Sequence, residues 1–209
     1  TSPQPADRSR PLPWQLLPDT AEVDGEGSLL IGGCRLVDLA EEYGTPLFIY
    51  DEAHLRARCR EALSAFDGRV AYASKAFLCR AMVRLAHEEG LTIDVATGGE
   101  YGIARAAGVP AESIVFHGNN KSSDELAAAL ESGVGRIVVD SSDEIDRITR
   151  LVDAGLPAPD VLLRVTPGVE AHTHEAVTTG IDDTKFGLSI ATGAAAAAFG
   201  RMATSSEMR

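Results

Sequence analysis

Short apolar runs alternate with helical patterns along most of this chain, and that alternation restricts its fold more than any other feature. Strands are predicted at 70–75, 91–96, 113–117, 136–140 and 160–166, with helices at 78–89, 99–107, 123–132 and 143–154 between them. The helices stop at Gly90, Gly108, Gly133 and Gly155, where a left-handed residue belongs just past a helix end. Ser122 with Glu125, and Ser141 with Glu144, have the Ser-x-x-Glu spacing of a capping box. Runs such as Ile137-Val138-Val139 and Val161-Leu162-Leu163 are apolar throughout, as parallel strands covered on both faces are. Strict alternation leaves an open doubly wound sheet or a (β/α)8 barrel.

The strand ends favour the barrel. Lys75, Asp94, His117, Asp140 and Arg164 close successive strands at spacings of 19, 23, 23 and 24 residues. Barrel enzymes gather their chemistry from the C-terminal ends of several strands around one mouth. A doubly wound sheet would carry a glycine-rich phosphate loop after its first strand, and Ser74-Lys75-Ala76-Phe77 is not one. The expected fold is therefore α/β, an incomplete (β/α)8 barrel with about five strands where closure needs eight. The chain opens on threonine, and residues 202–209 break off in mid-pattern, so a fragment of a longer protein is expected.

The N-terminal part is organised differently. Residues 1–20 are proline-rich, and Trp14 is expected to anchor them on an apolar surface. A small hairpin at 29–31 and a helix start at 36–39 flank Gly32-Gly33. Residues 45–50 have a strand composition, with Pro46 where a missing N–H is tolerated. Asp51 is placed to cap a helix carrying Leu55, Cys59, Leu63 and Phe66 on one stripe. Residues 194–199 are alanine-rich and helical by propensity.

A formal net charge of −12 argues against nucleic acid or an anionic membrane as partner. No apolar run approaches the ~20 residues of a membrane span, and no signal peptide is visible. Three isolated cysteines, Cys34, Cys59 and Cys79, suggest a reducing compartment, so a cytoplasmic protein is expected.

Of the candidate site residues, Lys75 is the most pointed. The chain has three lysines (Lys75, Lys121, Lys185) against 16 arginines, and this one ends an apolar strand. A buried amine loses its proton readily and becomes a nucleophile that attacks carbonyl compounds. The alternative is a strand-end lysine whose head reaches water. Asp94 either faces Lys75 from the neighbouring strand or is a solvated strand-end carboxylate. Thr97-Gly98-Gly99-Glu100 makes a βα turn. His117-Gly118-Asn119-Asn120-Lys121 is a polar loop rich in hydrogen-bonding groups, although His117 also suits a purely structural role. Arg164 sits in a strand too apolar for a solvated guanidinium and needs an anion. His172 and His174 are spaced like ligands, but no further His or Cys follows to complete a set, so no metal is expected. Lys185, in Lys185-Phe186-Gly187, either meets a carboxylate or starts a helix.

Taken together, Tyr72-Ala73-Ser74-Lys75-Ala76, Asp94-Val95-Ala96-Thr97-Gly98-Gly99-Glu100, His117-Gly118-Asn119-Asn120-Lys121 and Lys185-Phe186-Gly187 resemble the diaminopimelate decarboxylases. These belong to the alanine-racemase-like, fold-type III group of pyridoxal-phosphate enzymes. The resemblance runs from about Gly25 to Ile190. It implies pyridoxal 5'-phosphate as cofactor, carried covalently by Lys75, with Asp94, His117 and Arg164 around it. It implies release of CO2 from meso-2,6-diaminopimelate to give L-lysine, in a homodimer. It also implies a barrel at 51–209 and, at 1–50, an extension and strand belonging to a second β-domain. The family's phosphate loop, its ring-stacking histidine and the partner of the pyridine nitrogen fall beyond residue 209, so the fragment alone is expected to be inactive. Rival expectations are a fold-type III decarboxylase of ornithine, arginine or carboxynorspermidine, and a non-catalytic pyridoxal-phosphate-binding barrel.

Overall fold

The computed structural model describes residues 14–168 and 186–209. Cα proximity divides the chain into two compact units, one ending at Ala65 and one spanning Phe66–Arg209. The first unit holds a three-stranded antiparallel sheet, β1 (Glu22–Val23), β2 (Leu29–Ile31) and β3 (Cys34–Arg35), in that order. Gly32 and Gly33 turn the β2–β3 hairpin at φ 58° and 78°, a conformation that favours glycine. Helices α1 (Leu36–Tyr43) and α2 (Glu52–Ala65) follow. Asp51 caps α2 as expected: its Oδ1 accepts the backbone N–H groups of Ala53 at 2.9 Å and His54 at 3.2 Å. The Thr20 hydroxyl donates to its other oxygen and, as the largest influence, holds the Asp51 carboxyl below the usual range.

Two expectations in this unit fail. Residues 45–50 form no strand. A strand needs a neighbour to take up its N–H and C=O groups, the segment has none among the described residues, and Phe48 is 87% exposed. Trp14 lies in a short 3-10 turn, Trp14–Leu16, and is half exposed rather than an apolar anchor.

The second unit is built on a five-stranded parallel sheet: β4 (Ala71–Ala73), β5 (Thr92–Val95), β6 (Ile114–Phe116), β7 (Arg136–Val139) and β8 (Val161–Leu163). Its spatial order is its chain order. The strands wind one way with no reversal, which makes an arc of a barrel and not a doubly wound sheet. Between them run α3 (Arg80–Glu88), α4 (Gly98–Ala106), α5 (Ser123–Glu131) and α6 (Ser142–Asp153). The four predicted closing glycines have φ between 74° and 103°.

The twofold period of the strands sorts their side chains. Ile93, Val95, Ile114, Phe116, Ile137 and Val139 are at most 1% exposed and meet Val83, Ala104, Leu126, Ile145 and Ile148 beneath the helices. This helix-covered face is the core. The opposite face carries Asp94, Val115, Arg136, Val138 and Leu162, in register across the sheet, and lines an open hollow of about 330 Å³.

The last predicted strand is broken. β8 stops at Leu163, Arg164 interrupts it, and β9 (Val165–Thr166) continues. Arg164 N–H still donates to Val139 at 2.9 Å, but its carbonyl accepts from Leu188 at 3.0 Å. The run thus changes partner there, to a sixth strand position, β10 (Leu188–Ser189), parallel to β9. The expected cover on both faces fails as well, since Leu162 is 48% and Val165 42% exposed. Helix α7 (Ala194–Ala203) closes the described chain. No helix among the described residues is long and apolar enough to cross a membrane.

Candidate active site at the strand ends

Parallel pairing brings the C-terminal ends of β4 to β8 to one rim, and the polar residues picked out at those ends lie along it. Lys75 follows β4 in a single 3-10 turn, Ser74–Ala76. The Tyr72 hydroxyl donates to the Phe77 carbonyl at 2.7 Å and fastens the backbone on either side of the lysine. Of the two readings of Lys75, the buried amine fails and the strand-end lysine whose head reaches water holds: Lys75 is exposed. β4 is the terminal strand of its sheet, so no further strand covers the turn that follows it.

Asp94 does not pair with Lys75. Its Oδ1 lies 3.3 Å from His117 Nδ1, a contact between the ends of neighbouring strands, and this oxygen is buried without a hydrogen-bond partner among the described residues. The Asp94 and His117 side chains are 24% and 34% exposed. His117 Nε2 is itself buried and has no hydrogen-bond partner among the described residues. A buried ring nitrogen of this kind wants a donor or acceptor from a bound group.

Arg164 finds its anion within the chain. One guanidinium nitrogen donates to Asp140 Oδ1 at 3.1 Å, and the group lies over the Phe186 ring at 4.3 Å. Asp140 is almost fully buried, and its Oδ2 accepts the Gly187 N–H at 3.0 Å. A stacked, paired guanidinium has little freedom to swing, which leaves its remaining N–H groups in fixed directions. His172, His174 and Lys185 lie outside the described residues.

The buried lysine is Lys121, whose side chain is 0% exposed. Its Nζ lies 2.7 Å from Glu144 Oε1 and donates to the carbonyls of Gly118 at 2.6 Å and Val138 at 2.9 Å. Burial pushes its ammonium below the usual lysine range, and Glu144 partly offsets that shift. Sequence reasoning had this residue inside the His-Gly-Asn-Asn-Lys loop but gave it no role. No local sequence signal marked it, since the second capping box has the full spacing in the sequence and forms only in half in the structure. Ser141 Oγ accepts the Glu144 N–H, but the Glu144 carboxylate turns instead to Lys121 and to the Asp140 N–H at 2.8 Å. The Ser122–Glu125 box forms in full.

Residues 52–208 match the family model described as the pyridoxal-binding domain of pyridoxal-dependent decarboxylases. The chain belongs to the pyridoxal-dependent decarboxylase family. Among curated relatives it is 51% identical to the diaminopimelate decarboxylase of Mycobacterium tuberculosis over 188 residues, covering 89% of this chain and 42% of that one. Against the Mycobacterium leprae enzyme of the same name it is 48% identical over 208 residues, covering 99% and 44%. The solved diaminopimelate decarboxylase of M. jannaschii, in complex with L-lysine, superposes with a TM-score of 0.79 at 30% identity, covering 91% of this chain and 46% of that one. The chain therefore spans less than half the length of the relatives it matches.

The rim of this decarboxylase domain suits a pyridoxal group. An exposed primary amine, a buried ring nitrogen without a hydrogen-bond partner among the described residues and a braced guanidinium lie at the ends of β4, β6 and β8. The group's aldehyde, ring substituents and negative charge call for an amine, hydrogen-bonding groups and a cation respectively.

Proposed function

We propose that the protein carrying this chain decarboxylates meso-2,6-diaminopimelate to L-lysine and CO2, using pyridoxal 5'-phosphate attached to Lys75. The observation that carries this reading is the exposed Lys75 amine on the rim that also holds the Asp94–His117 and Asp140–Arg164 pairs. The substrate follows from identities near 50% to proteins named diaminopimelate decarboxylase.

Pyridoxal phosphate, when bound, supplies an electron sink for the charge left behind as CO2 departs. The chain's own residues hold and orient. Lys75 presents an amine that a carbonyl carbon can reach, on a turn fastened by Tyr72. Asp94 Oδ1 lies beside His117 Nδ1 at 3.3 Å, and both this oxygen and His117 Nε2 are open to a hydrogen bond from the bound group. Asp140 and Phe186 fix the Arg164 guanidinium, so its free N–H groups are available to oxygen atoms of cofactor or substrate. Residues 1–50 belong, in this reading, to a second β-domain, and 51–209 to the barrel; the start of the family match at residue 52 supports that boundary. The reading also includes a homodimer and a cytoplasmic location, the latter in keeping with three cysteines at isolated positions in the sequence.

The test is chemical. Pyridoxal phosphate is added to the protein, the adduct is reduced with borohydride, and the modified lysine is located by peptide mass spectrometry. The label is expected on Lys75. Lys121 is an internal control, since its amine is buried against three oxygens. A label confined to other lysines, or no label, overturns the reading.

A further inference from the structure

We propose that the buried Lys121–Glu144 pair is a positioning device for the strand-end site, holding His117 and Arg164 in place from behind. It rests on the reading of that rim as the pyridoxal site. An ammonium has three N–H donors and no acceptor. At Lys121 two of them go to the Gly118 carbonyl next to His117 and the Val138 carbonyl in β7, and the ammonium forms a buried ion pair with Glu144 Oε1 at 2.7 Å, at the start of α6.

Its links run outward in two directions. Through the Gly118 carbonyl, Lys121 fixes the backbone adjoining His117. Gly118 has φ 96°, and a Cβ there would sit 2.3 Å from the Ala96 carbonyl, so the loop has no slack on its other side. Through Glu144, the pair reaches the Asp140 N–H at 2.8 Å, and Asp140 holds Arg164 at 3.1 Å and the Gly187 N–H at 3.0 Å. Arg147 on α6 closes the ring by donating to the Lys121 carbonyl. One buried ion pair thus touches the backbone at the ends of β6 and β7, and both rim pairs hang from those ends.

Stability alone is a poor reason for such a pair. Apolar groups of similar volume often replace a buried ion pair with no loss of stability. They carry no directed hydrogen bonds, however, and the directed bonds are what reach the rim.

Lys121→Met alone leaves the Glu144 carboxylate buried without its cation and is expected to compromise the fold. The informative variant is therefore the double substitution Lys121→Met with Glu144→Leu, which removes both charges and keeps the volume. It is expected to melt cooperatively like the parent. The rate of borohydride-trapped labelling at Lys75 should nevertheless fall about tenfold or more, as small misplacements around a reacting group do. In 15N-histidine-labelled protein, the His117 ring signals should shift and broaden. The proposal is overturned if the double variant labels Lys75 at the parental rate with an unchanged His117 spectrum, or if it does not fold. If the parent takes no label, the pyridoxal reading fails, and the His117 spectrum of the double variant still decides whether the pair positions the rim.

Discussion

Gly118 is the residue where backbone and site are tied most tightly. Its φ of 96° is a conformation an L side chain resists, and an added Cβ would meet a backbone oxygen that cannot step aside. Gly118→Ala is expected to destabilise the fold by about 2 kcal/mol or more, read from urea denaturation midpoints. Gly99→Ala is the control. Its nearest neighbour to an added Cβ is the Thr97 hydroxyl at 3.8 Å, and alanine inside α4 should be neutral or slightly stabilising. At this scale the sequence marked the polar strand ends but left the environment of Lys75 open and said nothing of that of Lys121. Lys75 follows an apolar run, which suggests burial; it sits on the terminal strand of the sheet, and one sequence does not show which strand ends a sheet. Lys121 lies among asparagines and serines, a context that carries no sign of burial. Only the tertiary placement of Glu144 and two carbonyls encloses it. Arg164's need for an anion was legible from its apolar strand, and the anion proves to be Asp140.

Among the elements, the three helices α4 to α6 each carry an acid near their N-terminus that accepts backbone N–H groups, in α4 and α6 from the strand end before the helix. Glu100 accepts the Ala96 N–H, and Glu144 the Asp140 N–H. Glu125 accepts the Ser122 N–H at 2.8 Å and, from the neighbouring βα turn, the Gly98 N–H at 2.6 Å. Those two backbone donors hold the Glu125 carboxyl below its ordinary 4.5. A depressed carboxyl pKa contributes stability that is fully present above the unfolded value and lost as pH falls through the folded value. Glu125→Gln should therefore cost about 1 kcal/mol at pH 7, a difference that narrows below about pH 4.5 as the parent's carboxyl takes up its proton. Thermal melts of both proteins from pH 7 to pH 3 measure it, and a gap that stays constant with pH rules out the carboxylate as the cause. Element boundaries were legible here because glycines and capping residues act locally. β10 was not, since two residues after Gly187 are too few for any period to show.

For the molecule as a whole, the decisive fact is an arc that does not close. Five strands run in order, β9 and β10 extend the rim, and the inner face stays open. Beside β8 and β9 an apolar hollow of about 600 Å³ is lined by Leu162, Val165, Ile190, Phe199 and Met202. Phe199 is 64% and Ile190 53% exposed. In a closed barrel such positions are filled by layers of side chains from the remaining strands, and the relatives are more than twice as long as this chain. The sequence showed the alternation, and with it the shortfall against eight strands. It could not show where the uncovered surface lies, because exposure depends on neighbours and not on local pattern. The 209-residue chain by itself is therefore expected to release no CO2 from meso-diaminopimelate above the rate with pyridoxal phosphate alone. It should also bind an apolar dye such as anilinonaphthalene sulfonate and elute from a sizing column as associated species, since unpaired strand edges and apolar patches recruit other chains. Radiolabelled CO2 capture, dye fluorescence and light scattering measure the three effects separately. A monomer that ignores the dye would mean the hollow is covered in solution, and CO2 release by that monomer would mean the rim described here suffices for the reaction.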